Sequence, residues 1–170
     1  MSTQGRMFGP GEPAAVGAVR PLALSVPLDA VVEALGMPRD DVLAFFRDGR
    51  VATPFFERLI ASRLGLWLSK AEGGAQRLTD AQGGEWEVRS LSGEGVGFAA
   101  SKLVGTQRVF DRERFEARAR EVVGYFVVDA ASFPVSRAWA IPSATVLEWT
   151  AHDGRGRLSR AEFLAFAREA

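Results

Sequence analysis

Cysteine is absent from the 170-residue chain, and histidine occurs once, as His152. Without cysteine there is no disulfide bond, no thiol nucleophile and no thiolate zinc site. A single histidine excludes any metal motif or active site that needs two histidines from one chain. Any chemistry must therefore use carboxylates, hydroxyl groups, arginines or one of two lysines, Lys70 and Lys102.

The chain also lacks an excess of either charge and a long apolar run. Its 21 basic and 21 acidic residues balance, which excludes binding to nucleic acid by bulk positive charge but leaves room for a local basic face. No stretch approaches the roughly 20 apolar residues that a membrane helix needs. The N-terminal segment has no apolar signal region. These features predict a cytoplasmic protein without a membrane segment.

The sequence divides into three predicted parts. Residues 1–20 are rich in glycine, proline and alanine, which predicts a disordered tail. Residues 21–49 carry two short helical patterns separated by Gly36 and Pro38, which predict a small helical appendage. Residues 50–170 are predicted to form one α/β domain.

The predicted domain alternates helical and extended patterns. Thr53 and Pro54 open a helix that is predicted to run to about residue 71. The stretch Glu85–Leu91 alternates as a strand, with Trp86, Val88 and Leu91 assigned to its apolar face and the charged residues to the other. The remaining predicted elements are a short strand at 75–78, a helix at 111–123, strands at 125–129 and 137–141, and two closing helices. This order predicts a mixed central sheet flanked by helices.

Two carboxylates stand close to a predicted turn. Asp80 precedes a Gly-Gly turn, and Glu87 projects from the strand that follows, so a hairpin would bring the two side chains together. Two converging carboxylates suit Mg²⁺, which accepts one or two of them together with phosphate oxygens and waters. Glu57, on the preceding helix, is a candidate third carboxylate.

These residues resemble the PD-(D/E)XK nuclease superfamily, which includes many restriction endonucleases. The resemblance covers residues 50–150 and depends on Asp80, on the Glu87-Val88-Arg89 stretch and on a preceding helix that carries Glu57. It implies a restriction endonuclease-like fold and Mg²⁺-dependent hydrolysis of DNA phosphodiester bonds, with Asp80 and Glu87 as metal ligands. It also implies that Glu57 helps to position the metal and that Glu87 helps to orient the attacking water.

The sequence departs from the family pattern at Arg89, where the family has lysine. Arginine holds phosphate well but does not act as a base near neutral pH, so Arg89 is predicted to clamp the phosphate. Lys102 is the candidate for the missing lysine. Basic and hydroxyl or amide side chains near this site are predicted to contact nucleic acid; they are Arg77, Arg89, Ser101, Lys102, Gln107 and Arg108.

Other interpretations of the same residues remain open. Glu87 and Arg89 also suit a solvated strand face with a cross-strand ion pair. The chain is then either a catalytically inactive nucleic-acid-binding protein of the same fold or a structural or interaction protein without a nucleic-acid role. Because one chain presents one active site, cutting both DNA strands predicts a homodimer.

Overall fold

The computed structural model describes residues 19–70, 76–99, 110–152 and 154–169. Its strands are β1 (Arg20–Ser25), β2 (Trp67–Lys70), β3 (Gln76–Thr79), β4 (Glu85–Leu91), β5 (Gly95–Gly97), β6 (Gly124–Asp129), β7 (Val135–Pro142) and β8 (Arg157–Ser159). Its α-helices are α1 (Leu28–Leu35), α2 (Arg39–Arg47), α3 (Gly49–Leu64), α4 (Arg112–Arg120), α5 (Ser143–Trp149) and α6 (Arg160–Glu169). Most of the predicted tail, up to residue 18, lies outside the described residues.

The central sheet has six strands in the order β1-β7-β6-β4-β3-β2. Strands β4 and β6 are parallel, whereas the other neighbours pair antiparallel. Parallel neighbours need a long crossover connection, and α4 lies within the connection from β4 to β6. Strands β5 and β8 form a separate two-stranded sheet. The prediction of a mixed α/β sheet flanked by helices is confirmed; the restriction endonuclease-like fold stays a prediction.

Alternate side chains of the sheet enter two separate apolar clusters. One cluster contains Trp86 and Val88 with Phe46 and Phe56, so α2 and α3 cover this side of the sheet, which we call the Trp86 face. The other side carries Glu87, Arg89 and Leu91 and packs against residues of α4, α5 and α6; we call it the Glu87 face. Leu91 therefore lies on the opposite face from Trp86, in contrast to the sequence-based assignment.

Two boundaries differ from the sequence-based prediction. Residues 20–25, assigned mostly to a helical appendage, form edge strand β1 paired with β7, and α1 and α2 share the apolar cluster of the Trp86 face. Helix α3 begins at Gly49 and ends at Leu64, because Gly65 adopts a left-handed conformation with φ 66°. Among the described residues no helix is both long and apolar enough to span a bilayer.

Local signals at two helix starts are confirmed. The side chain of Asp111 accepts a hydrogen bond from the backbone N–H of Arg114 at the start of α4, with the atoms 3.0 Å apart. At the start of α6, Glu162 accepts from the N–H of Ser159 at 2.8 Å, and Ser159 Oγ accepts from the N–H of Glu162 at 3.3 Å. This reciprocal pair is the predicted capping box.

Candidate functional site

Asp80 closes the turn between β3 and β4 with both of its carboxylate oxygens. Oδ1 accepts hydrogen bonds from the backbone N–H groups of Gln82 and Gly84, at 3.0 and 2.7 Å. Oδ2 accepts from the indole Nε1 of Trp86 at 3.0 Å. Since the Trp86 ring belongs to the apolar cluster of the Trp86 face, the Asp80 carboxylate is directed to that side of the hairpin.

Glu87 makes a different set of contacts on the opposite face. Its Oε2 accepts a hydrogen bond from Arg89 Nη2 and its Oε1 accepts one from Arg118 Nη2, each at 2.5 Å. The Glu87 side chain is only 12% exposed. Two guanidinium groups from different elements, one on β4 and one on α4, therefore converge on a single, mostly buried carboxylate.

These contacts do not bring Asp80 and Glu87 together. Successive residues of a strand point to opposite faces, so a carboxylate bound to the Trp86 side chain lies across the sheet from Glu87. Within the described residues, no cluster of three or more acidic or histidine side chains is placed to hold a metal ion. The donor set that the resemblance implies for Mg²⁺ thus does not fit a site shared by Asp80 and Glu87, and the magnesium requirement stays a prediction.

Arg89 is fixed in place by several groups. Its Nη2 donates to Glu87 and also to the backbone carbonyl of Phe98, the latter at 3.1 Å. Its guanidinium carbon lies 5.8 Å from the centre of the Tyr125 ring. Its Nε is buried and has no hydrogen-bond acceptor among the described residues. The guanidinium group supplies a positive charge and hydrogen-bond donors in a fixed position.

Tyr125 lies next to the charged cluster of Glu87, Arg89 and Arg118. Burial raises the pKa of Tyr125 to about 12, and the negative charge of Glu87 adds to the rise while Arg89 and Arg118 oppose it. The phenol is therefore protonated at neutral pH, and its ring packs edge-on against Phe98. This favours a packing role for Tyr125 over the role of a tyrosinate nucleophile.

Glu57 is the second acid within electrostatic reach of Arg89. It lies on α3 and is 8% exposed. Burial raises the pKa of Glu57, and this is opposed by the positive charges of Arg58 and Arg89. Burial favours the neutral form of a carboxyl group, and groups with shifted pKa values are frequent at functional sites.

The other predicted contact residues separate into two groups. Arg77 on β3 forms an ion pair with Glu85 of β4. Thr79 pairs with Glu85, and residues two apart on a strand share a face, so Arg77 and Thr79 lie on the same face as Glu85 and Glu87. Four predicted residues, Ser101, Lys102, Gln107 and Arg108, lie outside the described residues. The structure thus brings together Glu87 and Arg89, with Glu57 in electrostatic range, and places Asp80 elsewhere.

Two residues of this face were missed by the sequence analysis. Arg118 is separated from Glu87 by 31 positions and lies on a helix of mixed charge, so no local pattern distinguishes it. Trp67 follows a helical apolar spacing in the sequence, but on β2 its side chain is 61% exposed. Because Trp67 pairs with Thr79, both lie on the Glu87 face.

Comparison of the chain with protein-family models, with curated proteins and with solved structures found no match for it.

Proposed function

We propose that the protein binds DNA at the Glu87 face, with Arg89 and Arg118 as its phosphate-binding groups. The observation that supports this proposal is the convergence of the two guanidinium groups on one carboxylate. Guanidinium groups hold carboxylate and phosphate oxygens with the same planar donor geometry. The site that holds Glu87 therefore has the donors that a phosphodiester group needs.

The adjoining part of the Glu87 face supplies other groups suited to nucleic acid. Ser69 Oγ and Thr79 Oγ1 lie 3.3 Å apart on β2 and β3, and both are half-buried hydroxyls. Trp67 beside them exposes an aromatic ring of the kind that stacks on bases. Because the chain has no net charge, we expect few phosphate contacts and a correspondingly weak dependence of affinity on salt.

Arg118→Gln tests this proposal most directly. In fluorescence anisotropy with a short labelled DNA duplex at low salt, we expect about tenfold weaker binding, because a charge-assisted hydrogen bond is lost. The slope of log affinity against log salt should fall by about 0.9 for the lost phosphate contact.

Arg39→Gln is the matched control for that variant. It removes the same charge from α2, on the far side of the sheet, where Arg39 forms an exposed pair with Asp29. Its affinity should equal that of the wild type. Absence of any DNA binding at low salt would overturn the proposal and favour a structural or interaction protein.

Hydrolysis of DNA is the second candidate function, and Glu57 is the observation that favours it. A buried carboxyl with a raised pKa is typical of a group that exchanges protons or binds a ligand. The resemblance to the PD-(D/E)XK superfamily adds that the reaction would be metal-dependent cleavage of phosphodiester bonds. A homodimer with two such sites would cut both strands.

Supercoiled plasmid DNA, incubated with and without Mg²⁺ or Mn²⁺, tests this candidate. We expect cation-dependent conversion to nicked or linear DNA, and Glu57→Gln should reduce its rate at least about a hundredfold, the usual scale for a positioned acid or base. Linear product formed without a lag would support the homodimer. Intact plasmid under all conditions, together with DNA binding, would leave the catalytically inactive binding protein as the function.

A further inference from the structure

The two arginines of the site differ in what holds them. Arg89 is anchored by the carbonyl of Phe98 and by the ring of Tyr125 as well as by Glu87. The hydrogen bonds of the Arg118 guanidinium group to described residues go only to carboxylates, Glu87 at 2.5 Å and the exposed Glu121 of the adjoining turn. Arg118 can therefore turn towards another anion when Glu87 releases it, whereas Arg89 stays in place.

Glu87 occupies the donors that a phosphate group would use. Each of its carboxylate oxygens accepts from a different guanidinium group, which is the arrangement expected for two oxygens of a bound phosphodiester. Within the part of the chain that the structure describes, Arg89 and Arg118 pair with Glu87, and Tyr125, whose pKa the Glu87 charge helps to raise, carries no charge near neutral pH. A phosphate can bind both arginines at these donors only if the Glu87 carboxylate moves away from them.

We infer that Glu87 is an internal anion that competes with the phosphate ligand for Arg118 and Arg89, so the free protein is autoinhibited. This inference rests on the proposed function, since it concerns the same two arginines. A DNA phosphodiester carries the same single negative charge as the carboxylate and can replace it on Arg118, while the Arg89–Phe98 contact keeps the other half of the site formed. The contact between Glu87 and Arg118 is then the barrier that a ligand has to overcome.

Glu87→Gln removes the competing charge and keeps the size of the side chain. We expect DNA affinity to rise about tenfold relative to the wild type, because both guanidinium groups are released from the charge of Glu87. The double variant Glu87→Gln/Arg118→Gln should lose that gain. Glu121→Gln is the matched control: it removes an acid that pairs with Arg118 on the exposed side, and should change affinity less than about threefold.

Each result decides between the inference and its alternatives. Unchanged or weaker binding by folded Glu87→Gln, when the wild type binds DNA, would overturn autoinhibition while leaving the proposed function intact. If neither protein binds DNA but Glu87→Gln alone binds inorganic phosphate by isothermal titration calorimetry, the anion competition stands and the proposed DNA function fails. Binding of neither ligand by either protein would overturn both.

Glu87→Asp keeps the inference testable if Glu87→Gln does not fold. The shorter side chain retains the charge but cannot reach both guanidinium groups at hydrogen-bond distance, so one arginine is released. We expect a rise in affinity smaller than that of the glutamine variant. No rise in the folded aspartate variant would overturn the inference.

Discussion

Replacing Asp129 with alanine is expected to lower the free energy of unfolding by about 3–5 kcal/mol, the usual cost of breaking a buried ion pair by removing one partner. Asp129 ends β6 and is almost fully buried. Its two oxygens accept hydrogen bonds from Arg160 Nη1 and Nη2, each at 2.7 Å, and Oδ2 also accepts from Ser132 Oγ at 2.6 Å. The variant would leave the Arg160 guanidinium half-buried without this carboxylate.

Chemical denaturation measures the free energy of unfolding, and two other variants provide values for comparison. Ser132→Ala removes only a neutral donor to Asp129 and should cost about 1 kcal/mol. Glu116→Ala removes ion pairs to Arg112 and Arg120 within α4 and should cost less than Ser132→Ala. If Asp129→Ala lost no more than Ser132→Ala, the ion pair would not join α6 to the sheet in the way the contacts indicate.

The same carboxylate makes stability depend on pH in a defined direction. Burial by itself would raise the pKa of Asp129, but the hydrogen bonds from Arg160 and Ser132 outweigh it, so the pKa lies below its ordinary value. Its stabilisation is therefore complete above the pKa of the unfolded chain and is lost as pH falls through the lowered folded value. Between about pH 2 and pH 7, the melting temperature of Asp129→Asn should change less than that of the wild type.

Local signals in the sequence predicted the elements that local contacts build. Asp111 caps α4, Ser159 and Glu162 cap α6, and the alternation within residues 85–91 produces β4. Each of these depends on side chains only a few residues apart, so spacing alone is informative. The mixed sheet follows from their order along the chain.

The arrangement of the site depends on contacts that spacing does not reveal. Glu87 meets Arg118 because the crossover from β4 to β6 places α4 over the Glu87 face, and nothing local to either residue indicates this. Trp67 follows a helical spacing, yet the left-handed Gly65 ends α3 and commits Trp67 to an edge strand. Proximity along the hairpin suggested that Asp80 meets Glu87, but Asp80 instead accepts from its own turn and from Trp86.

Asp80→Ala is the second large effect that we expect, a loss of about 1–3 kcal/mol in the free energy of unfolding in the absence of any metal. The substitution removes the acceptor for the N–H of Gly84 and for the indole N–H of Trp86, both of which are partly buried. Because Trp86 packs on Phe126 in the cluster of the Trp86 face, the loss should be accompanied by a change in tryptophan fluorescence. Unfolding in urea, followed by fluorescence, measures both.

Asp80→Asn separates a structural role from a metal-binding one. The asparagine carbonyl still accepts from the turn N–H groups, but its amide NH₂ faces the Trp86 N–H, so the variant should lose only part of the stability lost by Asp80→Ala. If Asp80 were a metal ligand instead, Asp80→Ala and Asp80→Asn would leave the stability of the metal-free protein unchanged. Both would abolish any stabilisation by added Mg²⁺ or Mn²⁺. Full stability of metal-free Asp80→Ala would contradict the turn-closing role and return Asp80 to the candidate metal ligands.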